Sequence, residues 1–298
     1  MLPRPKLLTI CASTGSHFAP FYMQSCPAPA KLNLFLHVVG RRSDGYPLLQ
    51  SVFRFIDYGD SLEFSLRKDG AIGRINPLPG VGAEQDLCVR AARLLQQYCG
   101  CSLGVDIALE KHLPMGGGLG GGSSDAATTL LALNRLWNLD LSRDELQHLA
   151  LQLGADVPVF VFGESAFAEG VGEKLTPIVL PPAWYVVLIP LVHVPTVEIF
   201  ASRELTRDTI PIKMSDFSAG YGHNDLEAVV CRKHPVVANH LAWLRQFGDA
   251  RMTGSGACVF AGYDTEKQAR TVFAQKPQDM AGFVARGLDQ HPLRSFAR

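Results

Sequence analysis

The chain has 298 residues, 47% of them hydrophobic, which suffices for one large domain or two of ordinary size. Its 28 basic and 28 acidic side chains cancel, so no global field favours nucleic acid or an anionic membrane surface. Seven cysteines (Cys11, Cys26, Cys88, Cys99, Cys101, Cys231, Cys258) without CxxC spacing give neither a disulfide framework nor a zinc site and point to a reducing, cytoplasmic compartment, and no apolar run has bilayer-spanning length.

Residues 1–22 show no periodicity. Arg4, Pro5 and Lys6 ahead of Leu7–Ala12 imitate a signal peptide, but the apolar part is short and the cleavage pattern poor. The stretch reads as a disordered leader or the product of an upstream start, with organised sequence beginning near Met23. Over residues 28–39, Leu32, Leu34, Leu36 and Val38 alternate at the strand period, which places Lys31 and Asn33 together on the opposite face. Those two are either a solvated edge or a cation and an amide aimed at a phosphate or hydroxyl. Gly40 ends the strand, Arg41–Gly45 is a polar turn, and Tyr46 and Pro47 follow. Leu49–Ile56 and Ser61–Leu66 read as two further strands around a corner at Asp57–Asp60, and residues 67–83 as loop. Leu87, Ala91, Leu94, Leu95 and Tyr98 predict an amphipathic helix over 85–98, stopped by Gly100. Val105, Ile107 and Leu109 predict a strand that delivers the chain to Lys111.

Next comes Pro114-Met-Gly-Gly-Gly-Leu-Gly-Gly-Gly-Ser-Ser-Asp-Ala126, with six glycines in seven positions and then an apolar helix to about Trp137. Glycine lets backbone N–H groups crowd one point, since no Cβ blocks a ligand or forbids positive φ. A helix start adds unpaired N–H groups and the positive end of the dipole. Wedged between a strand and an apolar helix, this is a cradle for an oligophosphate rather than a linker. Ser142–Glu145 forms a capping box for a helix with Leu146, Leu149, Ala150 and Leu153 buried and Gly154 as its stop. Asp156 is then the one charge before Val157–Phe162, read as an apolar strand. A carboxylate there either bonds local N–H groups in a turn or performs chemistry. Beyond residue 178, Trp184–Ile189 is a buried strand. Residues 196–205, 224–231 and 235–247 are helical, and 206–222 form a loop. Arg251–Phe260 is a second glycine turn leading into a strand, Thr265–Ala274 a helix and Gly282–Leu288 a last strand. The alternation indicates an α+β fold.

The residue types narrow the chemistry. A P-loop needs Gly-Lys-Ser/Thr at its end, and no lysine lies between Met115 and Lys174. Protein-kinase HRD and DFG sequences are absent. The glycines can be forced onto a dinucleotide fingerprint, so a Rossmann-type oxidoreductase or a plain nucleotide-binding module stays open. No histidine sits in a metal-binding pattern, and His37, His112 and His148 read as structural or surface groups. What remains is a backbone cradle followed by hydroxyls that can reach Mg²⁺ or a terminal phosphate, as phosphoryl transfer would need. Ser123 or Ser124 offers oxygen to Mg²⁺, Lys31 a point charge, and Asp156 an acceptor for a substrate hydroxyl's proton.

Pro29-Ala-Lys31-Leu-Asn33-Leu, Pro114–Ala126, Gly154-Ala-Asp156-Val-Pro-Val-Phe and Thr253-Gly-Ser-Gly-Ala-Cys258 together resemble the GHMP small-molecule kinase superfamily. With Arg42-Ser-Asp-Gly-Tyr46 they resemble the branch that acts on a cytidine diphosphate-linked methylerythritol in the non-mevalonate route to isoprenoid precursors. A homoserine- or mevalonate-type kinase is the alternative within the family. The resemblance implies a ribosomal-protein-S5-like ATP-binding domain over 23–177 and a ferredoxin-like domain over 178–298. It implies ATP and Mg²⁺ as cofactors, a small-molecule substrate between the domains, and a monomer or weak homodimer with no nucleic-acid or membrane partner. It also implies Asp156 as catalytic base and Lys31 as catalytic lysine. Pro114, Met115, Gly116, Gly117, Gly118, Leu119, Gly120, Gly121, Gly122, Ser123 and Ser124 match the ATP loop, and Lys111 borders the adenine. Asn33 and Thr196 face the substrate, and Tyr46 and Phe200 sandwich its cytosine. The family usually carries histidine after the loop tyrosine, where this chain has Pro47, which has no N–H to donate.

Overall fold

The computed structural model describes residues 22–217 and 221–298, so the leader read over 1–22 lies, apart from Tyr22, outside the described residues. Two long antiparallel strands form the frame: β1 (Tyr22–Arg41) and β2 (Pro47–Arg67). The two strands expected over 49–66 are one. Gly59 sits opposite Pro29 and Ile56 opposite Ala30, so Asp57 and Tyr58 form a bulge that bends β2 without ending it. Glycine is required at the bend, because a Cβ on Gly59 would fall 2.1 Å from the Ala28 carbonyl oxygen. The bend lets one strand serve several partners.

Beyond β2 lie β3 (Ile72–Arg74), a short strand inside the expected loop, and β4 (Gly104–Glu110), antiparallel to β2 over Ser61–Arg67. Helix α1 (Leu87–Cys99) starts at Asp86, whose carboxylate accepts from the amides of Cys88 and Val89, and stops at left-handed Gly100. Helix α2 (Gly121–Leu136) is buried nearly all round, and α3 (Arg143–Leu153) begins with the expected capping box. The run Val157–Phe162 is not a strand but a short helix, α4, with proline in its first turn. A wholly apolar six-residue segment carries no period to distinguish the two, and burial against α2 and α3 decides. A hairpin of β5 (Ala166–Glu169) and β6 (Lys174–Pro177), with no counterpart in the sequence reading, joins β2 at Ser51–Phe53.

The second half is built from β7 (Trp184–Ile189), α5 (Thr196–Ala201), α6 (Glu227–Lys233), α7 (Pro235–Leu244), β8 (Ala250–Met252), β9 (Val259–Tyr263), α8 (Glu266–Phe273) and β10 (Ala281–Leu288). Its sheet runs β10-β7-β9-β8, all antiparallel. In chain order that is 4-1-3-2, the ferredoxin-like arrangement the resemblance implies. Strand β10 also pairs with β2 at Ile56 and Phe55, which fuses the halves into one ten-stranded sheet. Residues 289–298, which a division at 177/178 would leave with the second half, return to the first. Leu293 and Ala297 are buried in its core, and Arg143 donates to the carbonyls of Arg294 and Ala297. A third cluster, including Leu32, Phe35, Leu119, Tyr185, Cys258 and Phe260, fills the junction between the halves and forms the floor on which the site is built.

Candidate active site

Strand β1 sets the first two groups. Lys31 and Asn33 share a face as expected, but that face is not solvated: both side chains are buried. The Lys31 ammonium donates to Asn33 Oδ1 at 2.5 Å and lies 3.4 Å from Asp156 Oδ2. Asn33 is fixed in turn by Nδ2 donating to Ser51 Oγ, 2.8 Å, and Ser51 donates to the Phe35 carbonyl. Asp156 stands at the N-terminus of α4 with its carboxylate bound to no local amide, so the turn-bonded alternative is set aside. Its side chain is 43% exposed, not buried as its apolar sequence neighbours suggest, and it opens into a cavity.

That cavity, about 380 Å³, is lined by Asp156 and by Pro114–Gly118 and Gly120–Ser123. The carboxylate and the glycine loop, 34 residues apart in sequence from Gly122 to Asp156, thus face the same space. Gly116, Gly118 and Gly120 have φ of 70°, 76° and 73°, alternating with Gly117 and Leu119, which do not, and Gly120 leads directly into α2. Such alternation turns successive N–H groups toward a common point. Here L-residues are excluded by space as well: a Cβ on Gly118 would lie 2.2 Å from the Thr253 carbonyl oxygen. The 253–258 turn of the second half is stapled beneath the loop. Cys258 N–H donates to the Gly117 carbonyl, 3.1 Å, while Thr253 Oγ1 accepts from Asn33 N–H, 2.9 Å.

Two of the expected loop residues, Leu119 and Ser124, do not line the cavity. Leu119 is buried in the junction core and contributes its carbonyl to Lys31 N–H at 3.0 Å. Ser124 is wholly buried and donates its hydroxyl to the Pro29 carbonyl at 2.7 Å. Of the two serines Ser123 alone lines the cavity. Among the described residues no group of three or more His, Cys, Asp and Glu is arranged to hold a metal. Ser123 with a bound polyphosphate fits Mg²⁺, which keeps most of its shell as water and phosphate oxygen.

Lys111 also lines the cavity, but its ammonium is spoken for. It donates to Asp60 Oδ2 at 2.5 Å and Asp125 Oδ2 at 2.7 Å. Burial disfavours its charge, but Asp125 and Asp60 outweigh that and raise its pKa. Asp60 also accepts from the amides of His112 and Leu113, while burial pushes the Asp125 carboxyl upward against the pull of Lys111. Arg74 and Asp86 form a second buried pair, 3.0 Å, and both line the same cavity. Neither Asp60 nor Arg74 was legible as a site residue, since each is a single charge inside a corner or loop pattern.

Thr196, first residue of α5, is exposed at the cavity rim, where its hydroxyl lies 2.6 Å from that of Ser255. Tyr46 is 60% exposed at the β1–β2 turn, its carbonyl taken by Arg42 N–H. Phe200 is partly buried against the second core, and the two rings make no contact with each other. Pro47 opens β2 opposite Arg41, a strand end where no N–H is demanded. Among the described residues no helix is long and apolar enough to cross a membrane.

The family models of the GHMP kinase N-terminal and C-terminal domains match residues 86–164 and 206–279. The chain belongs to the GHMP kinases. It is 66% identical over 276 residues to a 4-diphosphocytidyl-2-C-methyl-D-erythritol kinase of Nitrosospira multiformis, covering 92% of this chain and 94% of that one. It is 68% identical over 273 residues to the enzyme of the same name from Thiobacillus denitrificans, covering 92% and 98%. A crystal structure of 4-(cytidine 5'-diphospho)-2C-methyl-D-erythritol kinase superposes with a TM-score of 0.73 at 32% identity, covering 88% of this chain and 98% of that one.

Proposed function

We infer that this chain transfers the γ-phosphoryl group of ATP to the 2-hydroxyl of 4-diphosphocytidyl-2-C-methyl-D-erythritol, giving the 2-phosphate and ADP in cytoplasmic synthesis of isoprenoid precursors. The observation that carries the reading is one cavity shared by the glycine loop and Asp156, whose carboxylate lies 3.4 Å from the Lys31 ammonium. The kinship at 66% and 68% identity supports this substrate over homoserine or mevalonate.

In this reading the amides of the 116–122 loop and the start of α2 hold the triphosphate, whose charge they meet with fixed dipoles. Mg²⁺, held by ATP's phosphates and the Ser123 hydroxyl, would neutralise part of that charge. Asp156 accepts the proton of the 2-hydroxyl. The freed oxygen forms its bond to the γ-phosphorus as the bond to the β–γ bridging oxygen breaks, and ADP leaves with the electron pair. Lys31 orients Asp156, and Asn33 fixes Lys31. Thr196 faces the substrate from the rim. Tyr46 and Phe200 close on the cytosine as the ligand enters, and Pro47 leaves base reading without the usual donor at that position.

The test is ADP release with the diphosphocytidyl alcohol, homoserine and mevalonate offered separately. Turnover with the first, and inhibition by CDP, are expected. Turnover with either small alcohol and none with the first would overturn the substrate, and a nicotinamide absorbance change without ADP would overturn the reaction.

A further inference from the structure

Asn224 lies outside the motifs that mark the site, on the segment that leads into α6. Its backbone pairs with Leu36 in an isolated parallel bridge, which registers it on β1 three residues beyond Asn33. Its side chain is buried and every polar group on it is used. Nδ2 donates to two carbonyls, those of Met252 and Gly254, both at 2.8 Å, and Oδ1 accepts from Leu226 N–H at 3.0 Å. Glu227, the first residue of α6, accepts from Met252 N–H at 2.9 Å. One amide therefore grips the chain on either side of Thr253. Because peptide units are planar, fixing the carbonyls before and after a residue leaves its own carbonyl little freedom. The Thr253 carbonyl is the one that faces Gly118 so closely that a Cβ there would lie 2.2 Å away. Thr253 Oγ1 accepts from Asn33 N–H, and Ser255, next after Gly254, lines the cavity. Two donors on one short side chain are what an amide offers and a carboxylate or hydroxyl does not.

We propose that Asn224 is a positioning residue for the nucleotide: it holds the 252–254 backbone against Gly118 and so fixes the amides with which the glycine loop binds the triphosphate. The proposal rests on the kinase reading and adds to it a residue outside the cavity lining. Binding by main-chain amides depends on their being aimed before the ligand arrives, and the loop's own glycines supply no stiffness to aim them. The stiffness comes from the turn packed against them, and the turn takes its place from Asn224.

Asn224→Asp keeps the shape of the side chain but exchanges both donors for an oxygen that faces two carbonyls. The experiment is calorimetric binding of ATP, without the alcohol, to the intact chain, Asn224→Asp, Gly118→Ala and the double variant, each shown to be folded by urea titration. Asn224→Asp should bind ATP at least about tenfold more weakly, the scale of a small displacement of preorganised groups. Gly118→Ala already forces the loop off the turn, so adding Asn224→Asp to it should weaken ATP by less than about twofold more. A residue that only supports the fold would lower the urea midpoint and leave the ATP affinity of the folded protein alone. If Asn224→Asp fails to fold, Asn224→Ala, which leaves the two carbonyls unpaired without repelling them, serves in the same two backgrounds with the same expected results. An unchanged ATP affinity in the folded single variant, or the same loss repeated in the Gly118→Ala background, overturns the proposal while leaving the kinase reading intact. Failure of the intact chain to bind ATP overturns both.

Discussion

Replacing Asp156 by asparagine isolates the proton acceptor from everything else in the site. The amide keeps the size of the carboxylate but takes up no proton. At the observed 3.4 Å, Coulomb's law with an effective dielectric of about 20 gives about 5 kcal/mol between the two charges. That is an upper figure, because the carboxylate is 43% exposed and water screens it. Stability should therefore fall by no more than about 1 kcal/mol. Lys31 remains held by Asn33 but loses its carboxylate partner, so the affinity for ATP should be unchanged or higher. The rate is another matter: loss of a positioned base lowers kcat by about 10²- to 10⁴-fold, or about 3–5 kcal/mol of barrier. Steady-state ADP release, nucleotide calorimetry and a thermal melt on the same preparation separate these effects. Turnover within tenfold of the parent in a folded variant would remove Asp156 from the chemistry. A collapse of the melt would mean that the pair serves structure first.

The serines make a contrasting pair. Ser124→Ala should cost about 1–3 kcal/mol in a urea titration, leaving the Pro29 carbonyl unpaired, with KM for ATP unchanged. Ser123→Ala should leave stability alone and lower kcat/KM at limiting Mg²⁺; the opposite pattern would reverse their roles. Gly118→Ala, with its Cβ 2.2 Å from the Thr253 carbonyl and φ at 76°, should weaken ATP at least about tenfold and lower the melting temperature, and an unaltered ATP affinity would contradict the stapled geometry. His291 is fully buried and its pKa is pushed down to about 3 by burial and then by Arg143. The unfolded chain takes that proton near pH 6.5, so the stability is whole above 6.5 and is lost as pH falls toward 3, at about 1.4 kcal/mol per pH unit. His291→Asn, which keeps an acceptor for Leu293 N–H, should flatten that acid slope in denaturant titrations, and an unchanged slope would assign it to other groups.

The motifs that read correctly from the sequence are those whose chemistry is local. Alternating apolar residues fixed the shared face of Lys31 and Asn33, and Ser142 with Glu145 announced a helix start that needs no tertiary help. The glycine loop was legible because only glycine tolerates positive φ under a second chain segment. Where tertiary packing decides, the reading failed. Val157–Phe162 has no period, and the 57–60 corner turned out to be a bend that only the partner strand reveals. Ser124 and Lys111 are instructive in another way. Both lie where the motif puts them, yet one hydroxyl points to a carbonyl 95 residues away and one ammonium to a carboxylate 51 residues away. No spacing rule encodes such partners. Asp156 was found by its chemical incongruity, although its exposure to a cavity, rather than burial, is what removes the cost of the charge.

The return of residues 289–298 to the first half bears on how the protein is made. Leu293 and Ala297 complete a core begun at Cys26, and Asn134 Nδ2 waits for the Phe296 carbonyl. A ribosome therefore releases the whole nucleotide-binding half before its last buried side chains have been translated. Until then that half presents an open apolar face to chaperones, and a frameshift within these ten codons would be felt at the far end of the molecule.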